Sequence, residues 1–172
     1  MKKSNIKKLA IASVFVAVAV VGSLFSIPVF ASKCSPVQHM VNILCSILLG
    51  PGYSLAAAFV AALIRNILGI GSLMAFPGSI FGAVVSGVVY AKTKSVYCTL
   101  IGEVFGTAIL GGLCAYPVAI LFMGQSGAGL AFYAYIIPFL ISTGAGAMLS
   151  GLLIYKLQKS NILHNMQESI YR

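Results

Sequence analysis

Six apolar runs follow one another along the chain, at 6–30, 38–49, 53–68, 73–90, 95–123 and 130–157. One helical crossing of a bilayer takes ~20 apolar residues, so the pattern predicts membrane-spanning helices joined by short loops. The run at 38–49 is short for a full crossing and is closed by the breaker Gly50-Pro51-Gly52. Pro28 stands near the outer end of the first run, and Gly69-Ile70-Gly71 ends the third. Pro77-Gly78 interrupts the fourth run, and Tyr116-Pro117 breaks the fifth near its outer end. A small uncharged turn at 124–129 precedes the sixth. The expected fold is an all-α membrane protein, with six transmembrane helices in one integral membrane domain over 1–172.

Composition agrees with the pattern. Hydrophobic residues make up 60% of the chain and charged ones 8%, against about 25% charged in a soluble domain. A net charge of +9 raises the question of nucleic acid, but the positions answer it. Lys2, Lys3, Lys7, Lys8, Lys92, Lys94, Lys156, Lys159 and Arg172 all flank apolar runs, as the positive-inside rule requires. With the lysine-rich N-terminus inside, even-numbered crossings return the chain to the cytoplasm after the second, fourth and sixth spans. Lys92 and Lys94 follow the fourth, and Lys156, Lys159 and Arg172 the sixth, so both termini are expected in the cytoplasm of a multi-pass cell-membrane protein. The first run has the basic flank of a signal peptide, and Val29-Phe30-Ala31 resembles a cleavage site, but the run is long for such a segment and is read as a span. Gly78-x3-Gly82, Gly102-x3-Gly106 and Gly144-Ala145-Gly146 are expected to let helix backbones approach within the chain.

Polar residues at membrane depth need a partner, a cavity or a function. One group runs from Lys33 through Cys34, Ser35, Pro36, Gln38, His39 and Asn42. On a helix Gln38 and Asn42 are i and i+4, while His39, Asn42 and Ser46 follow i, i+3, i+7, so they share a face that lipid cannot satisfy. That face is either a binding site or a capped helix end with interhelical hydrogen bonds. A second group is Arg65-Asn66. At ~1.5 Å rise per residue, Arg65 sits ~8 Å below Ile70 and Asn42 ~9 Å below Pro36, so the two groups share a depth. Arg65 needs an acceptor from the protein or from a bound solute, or else snorkels to the surface. Glu103 is the one acid outside the C-terminal tail. It lies ~10 to 13 Å from the inner end of its span, too deep to pair readily with Arg65, and its role is left open. Phe76, Tyr116, Tyr133 and Tyr135 lie near the outer ends of spans, placed to stack on a flat ring or to sit in the interfacial aromatic belt.

Catalytic constellations are missing from the sequence: no H-E-x-x-H, no G-x-S-x-G, no pair of carboxylates. The chain is read as no enzyme, with no cofactor and no metal. Cys34, Cys45, Cys98 and Cys114 form no C-x-x-C pair. Without a Walker A motif the chain cannot power transport with ATP by itself.

Several motifs together carry a family resemblance. Lys33-Cys34-x-Pro36-Val37-Gln38-His39-Met40-x-Asn42, Leu49-Gly50-Pro51-Gly52-Tyr53, Arg65-Asn66, Phe76-Pro77-Gly78-Ser79, Gly102-Glu103-x2-Gly106-Thr107 and Gly111-Gly112-Leu113-x-Ala115-Tyr116-Pro117 resemble the ThiW family over roughly residues 5 to 158. That family comprises substrate-binding S components of energy-coupling factor vitamin transporters. The resemblance implies a six-helix S-component bundle that captures the thiamin precursor hydroxyethylthiazole at the outer face. It implies partners too: a transmembrane coupling subunit and two cytoplasmic ATPases. S components are similar in docking through small residues of the first helix, here Ala10, Ala12, Ser13 and Ala17, although Ser13-x3-Ala17 is the nearest form of an Ala-x3-Ala motif. Substrate contacts are expected from Lys33, Gln38, His39, Asn42, Arg65 and Asn66, with Tyr116 or Tyr133 over the ring and the loop after span one as a lid. The residues themselves do not separate thiazole from thiamin or another small heterocycle, nor an S component from an autonomous carrier or a structural subunit.

Overall fold

The computed structural model describes residues 3–29, 32–124 and 131–171. Lys2, the end of the first expected span at Phe30 with Ala31, the turn at 125–129, Leu130 at the head of the sixth span, and Arg172 lie outside the described residues.

Helix α1 (Lys3–Gly22) carries the first apolar run and passes through a 3-10 turn, Ser23–Phe25, into a hairpin. The hairpin pairs β1 (Ile27–Val29) antiparallel with β2 (Ser32–Cys34), setting Ile27 against Cys34 and Pro28 against Lys33. Helix therefore stops short of residue 30. Pro28 has no N–H to give a helix and biases Ile27 toward extended backbone, so the chain leaves α1 as a strand.

Helix α2 (Pro36–Leu49) opens with a proline in its first turn, where the missing N–H has no helical partner to lose. Its stop is Gly50, whose φ of 91° suits glycine alone. Pro51 opens α3 (Pro51–Ile67) in the same way. In α4 (Ala75–Thr93) Pro77 also falls in the first turn, so it starts the fourth helix where an interruption was expected. The fifth run becomes α5 (Val96–Phe105), a π-helical stretch at Gly106–Gly111, and α6 (Gly112–Met123), which holds Pro117 without breaking. Its irregularity thus lies at the glycines. A Cβ on Gly106 would come within 2.6 Å of the Phe81 carbonyl oxygen, and one on Gly111 within 2.5 Å of that of Pro77, so this stretch rests directly on the α4 backbone. Helix α7 (Ile136–Lys159) carries the sixth run, and α8 (Ile162–Tyr171) follows.

Among the described residues, four segments are long and apolar enough to cross a membrane: Ser4–Phe25, Ala75–Thr93, Val96–Met123 and Ile136–Lys159. The apolar helices α2 and α3 are shorter, at 14 and 17 residues. At ~1.5 Å per residue α2 reaches ~21 Å, short of the ~30 Å of a hydrocarbon core. It sits at the centre, with every residue from Gln38 to Leu49 buried except Met40, which is why its sequence is apolar nearly all round.

The hairpin, the α3–α4 loop and the start of α7 gather at one end of the bundle, tied by Lys33 to Ile70 and by Ser35 to Ser142. At the opposite end α8 fills the space under α2. Its Leu163 and Ile170 join Ala12, Ile43, Leu44, Leu48 and Ile154 in one core. Gln167 Nε2 donates to the Ile47 carbonyl at 3.2 Å and to the Tyr90 hydroxyl at 3.0 Å, giving one of the orphan carbonyls of the α2 terminus a partner. Ser4 and Lys7 of α1 donate to the carbonyls of Ile170 and Ser169, each at 3.0 Å.

Candidate functional site

A recess of about 30 Å³ lies at the hairpin end, lined by Lys33, Ser35, Gln38, His39, Arg65, Ser72, Met74, Ala75, Gly78, Ser79, Phe139 and Ser142. Four helices (α2, α3, α4 and α7) and the hairpin build it. Strand β2 lays Lys33 across to the α3–α4 loop, where its ammonium donates to the Ile70 carbonyl at 3.4 Å. The Ser35 N–H donates to Ser142 Oγ at 2.9 Å, fastening the start of α2 to α7. Arg65 occupies the last turn of α3 at 3% exposure. The loop after α3 folds back over it, with the N–H groups of Ile70 and Gly71 donating to the Arg65 carbonyl at 3.1 and 2.8 Å. Asn66 pins that loop from the side, its Nδ2 donating to the carbonyls of Ala62 at 2.8 Å and Ser72 at 3.1 Å. Phe139 makes the aromatic wall, close enough to α4 that a Cβ on Gly78 would lie 3.2 Å from its ring.

Buried polar groups are normally paired. Ser35 Oγ, Gln38 Nε2 and Arg65 Nε are buried without a hydrogen-bond partner among the described residues, and all three side chains line this one recess. Their residues are 4%, 3% and 3% exposed.

Behind the recess lies a closed polar cluster on Glu103, which is fully buried. Asn42 Nδ2 donates to Glu103 Oε1 at 3.0 Å and to the Ser79 carbonyl at 3.2 Å. Ser86 Oγ donates to Oε2 at 3.0 Å and Thr107 Oγ1 to Oε1 at 3.4 Å. His39 Nδ1 lies 3.1 Å from Oε1. With three donors already on the carboxylate, Nδ1–H is assigned as the fourth. The network runs on through Ser46, which bonds Ser54 and Ser86 at 2.9 and 3.0 Å. Room for it comes from glycine: a Cβ on Gly82 would stand 2.6 Å from Glu103 Oε1, and one on Gly146 2.6 Å from His39 Cβ.

Of the side chains expected to meet a solute, Lys33, Gln38, His39 and Arg65 converge on the recess. Asn42 is spent on Glu103 and the α4 backbone, and Asn66 on its own loop. Tyr116 is half-buried on α6, and Tyr133 is exposed with its ring edge-on to Phe132; neither lines the recess. Sequence reasoning placed neither Phe139 nor Ser142 there. Both sit inside a long apolar run, where the adjacent hydroxyls Ser142-Thr143 are the one polar signal near them. Ser35, Gly78 and Ser79 line the recess as well, and no solute contact is expected of them from the sequence.

On α1, Ala12 is buried, while Ala10, Ser13 and Ala17 are exposed. Ala12, Ser13 and Ala17 line an apolar groove of about 600 Å³ between α1 and α3, with Val16, Ala56 and Val60 among its walls; Ala10 lies off it.

No curated protein matches the chain. A family model described as thiamine-precursor transporter protein (ThiW) matches residues 9–160. A helical chain with several apolar helices of spanning length suits such a transporter, a multi-pass membrane protein that moves a small molecule and is not an enzyme. The chain belongs to the ThiW family of thiamine-precursor transporters.

Proposed function

We propose that this chain is the substrate-binding S component of an energy-coupling factor importer, and that it captures hydroxyethylthiazole in the recess at the hairpin end. The observation that carries the reading is the convergence of three unpartnered buried groups, Ser35 Oγ, Gln38 Nε2 and Arg65 Nε, on one cavity. A small heterocycle with a ring nitrogen and a hydroxyl supplies the acceptors they lack. His39, held through Nδ1 by Glu103, keeps Nε2 for the solute's hydroxyl, and Phe139 offers its face to the ring.

The arrangement in the membrane follows the charge pattern: six crossings, both termini cytoplasmic and the hairpin outside. The present cavity of about 30 Å³ admits a few water molecules at most, and ordinary ligand pockets hold roughly 300–1,000 Å³. The hairpin, tied down through Lys33 and Ser35, therefore acts as a lid that lifts for entry. The α1–α3 groove lined by Ala12, Ser13 and Ala17 receives the transmembrane coupling subunit, with two cytoplasmic ATPases supplying energy.

The test is a thermal shift of the purified chain with hydroxyethylthiazole, since a ligand stabilises the state it binds. Stabilisation of wild type, with at least ~10-fold weaker binding by Arg65→Ala, is expected for a charge-assisted hydrogen bond of about 1.5–3 kcal/mol. Tyr133→Ala keeps wild-type affinity. Full affinity in Arg65→Ala would remove this recess from the reading.

A further inference from the structure

We infer that Arg65 and Gln38 make the recess a charge filter, which accepts a thiazole whose ring nitrogen keeps its lone pair and rejects one whose nitrogen is quaternised. The inference rests on the proposed capture of a thiazole and adds what decides between related ligands.

Arg65 is a permanent cation at 3% exposure, and its Nε–H has no acceptor among the described residues. The chain has two acids in all. Glu103 is taken up by His39, Asn42, Ser86 and Thr107, and Glu168 belongs to α8 at the far end of the bundle. Lys33 lines the recess as a second cation, its ammonium on the Ile70 carbonyl. Gln38 adds another buried N–H donor without a partner. The unpaired nitrogens of Arg65 and Gln38 are donors, and the recess is lined by two cations and by no carboxylate.

A neutral thiazole offers such a site an in-plane nitrogen lone pair. Alkylation at that nitrogen, the form the ring takes in a thiazolium, removes the acceptor and brings a positive charge beside Arg65 and Lys33. Both changes act in the same direction: the donors stay unpaired, and a positive charge is brought toward the buried Arg65, where screening is weaker than at the surface. A site built to hydrogen-bond a substrate atom discriminates strongly against an analogue lacking it.

Two probes settle the matter on the purified full chain: hydroxyethylthiazole and the same molecule methylated at the ring nitrogen. Wild type is expected to bind the methylated cation at least ~100-fold more weakly. Gln38→Glu keeps the side chain's size and sets a carboxylate in the recess that Arg65 also lines, so it is expected to narrow that ratio by at least ~10-fold, a change that steric exclusion of the methyl group would not produce. Arg65→Gln serves as the second variant, with narrowing in the same direction. Equal affinities in wild type, tighter binding of the cation, or a ratio unmoved in both variants overturns the filter while leaving thiazole capture standing. Failure of wild type to bind either probe overturns the capture itself, and the filter with it.

Discussion

At Glu103 one carboxylate gathers donors from three elements: His39 and Asn42 of α2, Ser86 of α4 and Thr107 of the π-helical stretch. Replacing it by alanine strands His39 Nδ1, one Asn42 N–H and the Thr107 hydroxyl around a fully buried position. A buried donor left unpaired costs about 1–3 kcal/mol. Glu103→Ala is therefore expected to lose at least ~2 kcal/mol of stability, read as a lowered melting temperature in detergent, and a wild-type melting curve would mean the cluster does not hold the helices together. The sequence singled Glu103 out as the one acid outside the tail, yet its partner was not legible there. Helical spacing shows which residues share a face, and it correctly groups His39, Asn42 and Ser46. It does not show which helix that face meets. Counting rise from the helix ends kept Arg65 away from Glu103 but could not bring in His39, whose contact depends on how α2 lies against α5.

Among the elements, the glycine motifs differ in what they do. Gly82 meets Glu103 and Thr107, so its missing side chain is the space the polar cluster occupies. Gly144 faces nothing within 4 Å, on the open side of α7. Gly82→Ala is expected to destabilise by at least ~2 kcal/mol through overpacking, whereas Gly144→Ala stabilises by about 0.5–1 kcal/mol by improving helix propensity. Thermal unfolding of the two variants decides it, and equal shifts would sink the distinction. From sequence these motifs read alike, because a small residue marks a close approach and an empty groove with the same letter. The apolar runs themselves were legible as helices, since length and hydropathy suffice for that. The hairpin and α8 were not. Ile27 and Val29 look like the tail of a helix until Pro28 is weighed as a donor lost, and α8 is too mixed in polarity to register beside runs that are apolar throughout.

For the whole molecule, the sides of the bundle follow from where its cations fall. Lys33 stands on the hairpin above the recess, whereas Lys94 ends α4 at the opposite end, its backbone in the left-handed region at φ 53°. If six crossings place the recess outside, the two lysines face different compartments. The four cysteines are all unpaired, so a cysteine-free variant can carry one reporter at a time without breaking a disulfide. In intact cells a membrane-impermeant thiol reagent is expected to label Lys33→Cys and to spare Lys94→Cys until the membrane is opened. Labelling of Lys94→Cys in intact cells would turn the bundle over and put the recess on the cytoplasmic side, where it could not meet an incoming solute. The result also bears on α2. At ~21 Å this helix is too short to cross alone, so a hairpin that labels from outside requires the remaining depth to be covered by α8 from below, which is where Leu163, Ile170 and Gln167 meet it.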